Sequence, residues 1–179
     1  KNRETRCVYQ GDGTYYAVAW SPDDKHLLLG IYNSNFDQDL YALELATQKV
    51  IPLTPHKGSV RYTSPAWAPD GRGIYLITDK ERDFLNLAYI DLTTQNLIYL
   101  EGTSWDVESV LISPLCKRGV GGISPNGRLM VYTTNVDGYS KLTIKELNSG
   151  KVLTSPELPP GIIDVSDISQ NGDKILLSY

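Results

Sequence analysis

The chain of 179 residues contains 41% hydrophobic and 21% charged residues, with 17 basic and 21 acidic side chains and a formal net charge of −4. This composition excludes a disordered tail or a collagen-like fibre, and no apolar run approaches the ~20 residues of a membrane-spanning helix. The mildly acidic balance argues against nucleic acid as the main partner, since phosphate binding needs a concentrated basic surface. We therefore expect a globular domain, or a piece of one, whose partners are neither nucleic acids nor membranes.

A segment built around a Pro-Asp step recurs along the chain. Trp20-Ser-Pro-Asp-Asp-Lys25 returns as Trp67-Ala-Pro-Asp-Gly-Arg72, as Ile123-Ser-Pro-Asn-Gly-Arg128 and, more loosely, from Ile168 onward. These starts lie 47, 56 and 45 residues apart. A second repeated segment follows each of the first three, at 39–45, 86–92 and 141–147. Two segments that recur in the same order indicate a repeat architecture.

Each repeat predicts four short strands. Its apolar runs are rich in Leu, Ile, Tyr and Thr and are bounded by Gly, Pro, Asp and Asn, which is typical of strands joined by tight turns. In the second repeat, we expect strands at 64–68, 73–78, 86–91 and 97–100. A four-stranded unit that recurs every ~40–50 residues is typical of a β-propeller blade.

We therefore predict an all-β chain made of four-stranded antiparallel blades. The blades are expected near 20–62, 63–110 and 111–158, with a partial blade at 162–179 and a stray outer strand at 5–10. A blade must stack on its neighbours, and a propeller ring must close. We expect this chain to be a segment of a longer propeller.

The third repeat exceeds the others by about ten residues. Ile112-Ser-Pro114 and Ile123-Ser-Pro125 duplicate each other, and removal of 115–125 brings the spacing to 45. This glycine-rich, basic stretch lacks the spacing and the following helix of a phosphate-binding loop. We predict that 115–125 is an inserted surface loop, similar to short peptides encoded by mobile repeat elements in bacterial genomes. The fold should tolerate it, because a longer surface loop adds little closure entropy.

No combination of Cys, His and Ser residues predicts a catalytic or metal site. Cys7 and Cys116 form no disulfide framework, and the spacing of His26 and His56 is unlike that of zinc ligands. We expect both histidines to lie on the surface. Ser140 has the nearest surroundings to a nucleophile elbow, but the Gly-x-Ser-x-Gly pattern is not present. We predict no catalytic, cofactor-binding or metal-binding residue.

Acidic pairs and tyrosines are the remaining candidates. The acidic pairs are Asp37/Asp39, Glu81/Asp83 and Asp164/Asp167, and the tyrosines near strand ends are Tyr15, Tyr16, Tyr62 and Tyr139. General acid–base catalysis by a carboxylate pair needs a shaped site around it, and solvated turns explain these acids without one. The tyrosines could line a channel or a rim of the propeller.

Several segments resemble the propellers of the prolyl oligopeptidase (S9) family of serine peptidases and of the TolB-type periplasmic proteins. The Pro-Asp repeats at 20–25 and 67–72 are shared by both. The segments at 105–108 (Trp-Asp-Val-Glu) and 134–142 (Thr-Asn-Val-Asp-Gly-Tyr-Ser-Lys-Leu) are similar to S9 propellers, as is the Leu-Pro-Pro-Gly linker at 158–161.

The resemblance implies a non-catalytic propeller that limits which peptides reach an α/β-hydrolase domain. No position in this chain matches the family's nucleophile, acid or base motifs, so the resemblance implies that the catalytic residues belong to the hydrolase domain. The partners of this chain would then be that hydrolase domain of the parent protein and peptide substrates. The alternative is a TolB-like propeller that acts as a scaffold for protein–protein interaction. A cytoplasmic location is favoured, and a periplasmic one stays open.

Overall fold

The computed structural model describes residues 4–112, 129–169 and 172–179, and these ranges fold into four antiparallel sheets. The first sheet contains β1 (Tyr15–Trp20), β2 (His26–Ser34), β3 (Asp37–Glu44) and β4 (Val50–Pro52). The second contains β5 (Tyr62–Trp67), β6 (Gly73–Thr78), β7 (Asn86–Asp91) and β8 (Leu97–Tyr99). The third contains β9 (Val107–Ile112), β10 (Leu129–Val136), β11 (Tyr139–Glu146) and β12 (Val152–Leu153), and the fourth pairs β13 (Asp164–Ile168) with β14 (Ile175–Ser178).

The strand order within each sheet follows the chain, as in a propeller blade. The all-β prediction of three full blades and a partial blade is confirmed. In the second repeat, three of the four predicted strand starts are those observed, and β5 begins two residues before its predicted start. The proposed insertion at 115–125 lies outside the described residues.

Several predicted boundaries differ from the structure. The third sheet begins at Val107 and not at residue 111. The first sheet begins at Tyr15 and not at residue 20, because the Pro-Asp turn joins the first two strands of a sheet and does not open it. The stray strand predicted at 5–10 is not formed, since residues 4–14 have no strand partner. Val8 and Tyr9 instead pack against the outer face of the first sheet.

Both faces of the full sheets are apolar because each sheet packs between neighbours. Successive residues of β10 show this alternation: Met130 and Tyr132 belong to the cluster between the second and third sheets, and Val131 belongs to the cluster beyond the third sheet. Leu28 of the first sheet packs with Ile74 of the second in the same way. The core is therefore a series of layers between sheets.

Trp67 closes the layer between the first and second sheets. Its indole is 6% exposed, and its Nε1 donates a hydrogen bond of 3.2 Å to the carbonyl oxygen of Ala19. Trp20 has the same position in the repeat but is 59% exposed. The same residue type at the same repeat position is therefore buried only where a preceding sheet covers it.

Candidate functional site

The hairpins within the sheets and the linkers between them meet at one face of the molecule. The backbone N–H of Gln38 donates to Val60, that of Val107 donates to Leu85, and that of Ser140 donates to Gly161, over 2.8 to 3.1 Å. We call this surface the hairpin face. It comprises the hairpin residues 32–39, 79–86 and 135–141 and the linker residues 55–61, 102–108 and 156–164.

The opposite surface is formed by the tight turns, and we call it the turn face. It comprises residues 20–26, 44–50, 67–73, 91–97, 145–151, 168–169 and 172–174. In an antiparallel four-stranded sheet, the connection between the second and third strands lies at the same edge as the exit from the fourth strand. The other two connections lie at the opposite edge. Each repeat therefore contributes to both faces.

His56 of the first linker lies between two carboxylates of β3. Its Nε2 atom is 2.8 Å from Asp37 Oδ1, and its Nδ1 atom is 2.8 Å from the Thr54 carbonyl oxygen. Asp39 Oδ1 lies 3.5 Å from the same Nδ1 atom. The side chain of His56 is 7% exposed, so the prediction of a surface histidine is wrong. Only the imidazolium can donate to acceptors from both ring nitrogens.

The surroundings of His56 favour its protonated form. Burial acts to lower the pKa of His56, but the hydrogen bonds to Thr54 and Asp37 and the nearby charge of Asp39 outweigh it, so this pKa is raised. The hydrogen bond from His56 in turn lowers the pKa of Asp37. A charged cluster thus fastens the first linker to β3.

Tyr62, the first residue of β5, packs beside this cluster. Its ring centroid is 5.4 Å from that of His56, and the residue is 1% exposed. Its hydroxyl has no hydrogen-bond partner among the described residues, and burial raises the pKa of Tyr62. Tyr62 therefore belongs to the core between the first two sheets and lines neither a rim nor a channel.

Charged contacts also hold the hairpin of the second sheet, residues 79–86, in place. The backbone N–H and the Nε of Arg61 donate to the two carboxylate oxygens of Asp79 over 2.9 and 2.7 Å. The guanidinium carbon of Arg82 lies 3.7 Å from the ring centroid of Tyr99, a distance suited to a cation–π interaction. Of the five basic residues on the hairpin face, these two already have partners.

Glu108 joins the two segments that resemble S9 propellers. Asn135 Nδ2 donates to Glu108 Oε1 over 2.9 Å, and Ser140 Oγ donates to Glu108 Oε2 over 2.7 Å. The backbone N–H of Gly138 donates to Asn135 Oδ1 over 3.0 Å, which closes the hairpin. Ser140 therefore bonds a carboxylate, and the structure does not pair it with a histidine base.

The other sequence candidates are dispersed. Glu81 and Asp83 are exposed in the second hairpin, and Asp164 and Asp167 lie on β13, where they accept hydrogen bonds from Ser166 and Ile168 respectively. Tyr16 and Tyr139 are exposed, Tyr15 packs against Tyr9, and His26 contacts the Trp67 ring. Cys7 is an exposed free thiol, and Cys116 lies outside the described residues. The structure thus brings together only Asp37 and Asp39 as an acidic pair with a common partner, His56.

A cavity of about 490 Å³ opens between the second and third sheets, towards the turn face. Tyr75, Tyr89 and Met130 are among its lining residues, as is Lys145, which forms an ion pair with Glu101. Lys145 occupies the repeat position that Leu43 and Ile90 occupy in the other two sheets. The cavity combines apolar and aromatic walls with one paired cation.

No group of three or more His, Cys, Asp or Glu side chains in the described ranges is placed to hold a metal ion. The same part of the chain has no helix long and apolar enough to cross a membrane. The candidate functional site of this part of the chain is the hairpin face, where hydrogen bonds and ion pairs order the loops of three successive sheets. Loops ordered by a rigid scaffold are common places for binding.

Stacked four-stranded meanders with layered cores define the chain as part of a β-propeller. No family model matches it. The chain is 33% identical over 89 residues to the Tol-Pal system protein TolB of Francisella tularensis subsp. mediasiatica, an overlap covering 49% of this chain and 20% of that protein. It thus matches about one fifth of the length of this curated relative.

Solved structures show the same fold in two kinds of protein. TolB from Acinetobacter baumannii superposes with a TM-score of 0.64 and 19% identity, over 96% of this chain and 39% of that one. A prolyl endopeptidase superposes with a TM-score of 0.63 and 19% identity, over 86% of this chain and 21% of that one. The propeller is therefore shared with TolB proteins and with prolyl oligopeptidase-type peptidases.

Proposed function

We propose that this chain is a non-catalytic propeller segment of a serine peptidase of the prolyl oligopeptidase family, and that it limits peptide access to an α/β-hydrolase domain. The observation that supports this proposal best is the Glu108 contact. It binds 105–108 to 134–142, so the two segments that resemble S9 propellers form one hydrogen-bonded unit on the hairpin face.

The arrangement of potential catalytic groups agrees with a non-catalytic role. A serine nucleophile needs a base within hydrogen-bond reach and a third group that orients the base. Ser140 donates to Glu108. His56 is held by Asp37 and the Thr54 carbonyl, on a different linker. The nucleophile would then belong to the hydrolase domain.

The first test uses a fluorophosphonate probe on the native protein. We expect one serine to be labelled, and peptide mapping should place it outside residues 1–179. The variant Ser140→Ala should keep full labelling, since its hydroxyl only supports a hairpin. Absence of labelling, or labelling of Ser140 itself, would contradict the proposal.

The second test addresses access. Glu108→Ala removes two hydrogen bonds from the third hairpin and should loosen it. In the native protein we expect kcat/KM to change about threefold or more for peptides of ten or more residues and to stay constant for a dipeptide ester. A control on the turn face is Glu44→Ala, which removes a single exposed hydrogen bond, the one that Thr47 Oγ1 donates. Equal effects on both substrates would contradict a role in access.

A TolB-like scaffold is the second candidate, and the 33% identity over 89 residues favours it. This candidate predicts that the native protein has no fluorophosphonate-reactive serine and no peptidase activity. It also predicts a protein partner that binds the purified native protein at a defined stoichiometry. The labelling result therefore separates the two candidates.

A further inference from the structure

Large apolar side chains are concentrated on the hairpin face. Twelve large hydrophobic residues of the described chain are exposed. Six of them lie on the hairpin face: Tyr32, Phe36, Phe84, Trp105, Tyr139 and Ile162. Of the other six, only Trp20 lies on the turn face. Several exposed large apolar side chains on one face favour an interaction surface, whereas single exposed residues need no explanation.

The two faces also differ in charge. The hairpin face has ten acidic and five basic residues, and the described turn face has seven acidic and six basic residues. Two of the five basic side chains on the hairpin face, Arg61 and Arg82, are occupied by Asp79 and by the Tyr99 ring. The His56 side chain is enclosed and adds little positive potential at the surface.

Three acidic side chains at the hairpin tips of this face are exposed and free to meet a partner. Glu81, Asp83 and Asp137 have no ion-pair partner among the described residues, and all three lie at hairpin tips. Phe84 follows Asp83 directly, and Tyr139 lies two residues after Asp137. In two successive sheets, the hairpin tip therefore contains an exposed aromatic residue within two positions of a free carboxylate.

We infer that the hairpin face is a docking surface for polypeptide that displays basic and apolar side chains together. Complementary charge steers such a partner and fixes its orientation, and desolvated aromatic residues supply most of the affinity. This inference deepens the proposed function and rests on it in one respect, namely that polypeptide is what the propeller contacts.

Binding of two labelled peptides to the native protein tests the inference. One is a fluorescein-labelled 12-residue peptide of Lys, Leu and Gly, and in the other Glu replaces every Lys. We expect fluorescence anisotropy to show binding of the Lys peptide at least tenfold tighter than that of the Glu peptide. Increasing salt should weaken the binding of the Lys peptide, because exposed charges are screened. Equal affinity for the two peptides would overturn the inference.

Matched variants locate the surface. Glu81 and Asp24 are both exposed turn residues with positive φ, 57° and 58°, on the hairpin face and the turn face respectively. Glu81→Lys should weaken binding of the Lys peptide about fivefold, and Asp24→Lys should change it less than twofold. Equal weakening by the two variants would show that net charge alone attracts the peptide and would overturn the docking surface.

An apolar pair completes the design. Phe84→Ser should weaken binding about fivefold, whereas Ile98→Ser, on the outer strand β8, should leave it unchanged. Both residues are exposed, so both variants should keep the wild-type melting temperature, which thermal unfolding checks. The fluorophosphonate result does not depend on these residues. Failure to label would therefore overturn the peptidase proposal and leave the peptide-binding result to decide the docking surface.

Discussion

At the scale of single residues, His56 shows that the fold can bury and hydrogen-bond a side chain whose sequence context is typical of the surface. In the sequence it lies in a Pro-His-Lys-Gly loop, a context typical of the surface. In the structure two acceptors at 2.8 Å face its two ring nitrogens, and Asp39 lies nearby. No spacing rule connects residue 56 with 37 and 39. The contact arises because the linker returns to the edge from which β3 starts.

The His56 cluster should make stability depend on pH. The folded-state pKa of His56 is raised above its unfolded value, which is about 6.5. Its stabilisation is therefore complete below about pH 6.5 and is lost as the pH rises through the folded-state pKa. The pKa of Asp37 is lowered in the folded state, so its stabilisation is complete above its unfolded value and is lost as the pH falls through the folded-state pKa.

The variant His56→Asn tests this dependence. At pH 5.5 we expect it to lower the free energy of unfolding by about 1–2 kcal/mol, from the loss of charge-assisted hydrogen bonds. At pH 9 the loss should be clearly smaller. Urea denaturation at both pH values measures the difference. His26→Asn is the control, because the His26 ring forms no ion pair within the described chain; a loss at His56 that is equal at the two pH values would contradict the imidazolium assignment.

At the scale of elements, the stacking of one sheet on the next determines stability. A lone four-stranded meander with two apolar faces cannot cover both, so its neighbours must. The two equivalent tryptophans show this dependence: the first sheet covers Trp67, which is buried, whereas none of the described sheets covers Trp20, which is exposed. The two tryptophans thus have similar local sequence contexts and opposite burial.

Substitution of the two tryptophans should therefore have unequal effects. Trp67→Ala should lower the free energy of unfolding by about 3–5 kcal/mol through loss of a buried aromatic side chain. In residues 1–179 alone, where no described sheet covers it, Trp20→Ala should cost less than about 1 kcal/mol, as an exposed substitution does. Trp67→Phe, which keeps a ring but removes the hydrogen bond to Ala19, should cost about 1 kcal/mol or more. Urea denaturation measures all three, and comparable losses for the two alanine variants would show that the first two sheets do not stack.

At the scale of the whole molecule, the first two sheets have the same length of turn between their first and second strands. Five residues join β1 to β2 and five join β5 to β6. Deletion of 115–125 would leave Ser113, Pro114 and 126–128, also five residues, between β9 and β10. The proposed insertion therefore accounts for the extra length of the third repeat relative to the other two.

Deletion of 115–125 should leave the propeller intact. We expect the melting temperature to change by less than a few degrees, because strands β9 and β10 are already paired from Ile112 to Met130 and a five-residue turn joins the equivalent strands elsewhere. Thermal unfolding and near-ultraviolet circular dichroism measure the outcome. A loss of cooperative unfolding would show that this segment is a required part of the third blade.

The sequence by itself determined the repeat, the strands and the all-β class, because these depend on local spacing of apolar, proline and glycine residues. The strands β6 and β7 begin and end where their residue pattern predicts. Only the tertiary structure decided which of two equivalent tryptophans is buried, that His56 is enclosed by carboxylates, and that Glu108 joins two distant segments. The physical reason is that burial and charge pairing depend on which edges and faces meet in space, and residues 17 to 48 positions apart carry no local signal of that meeting.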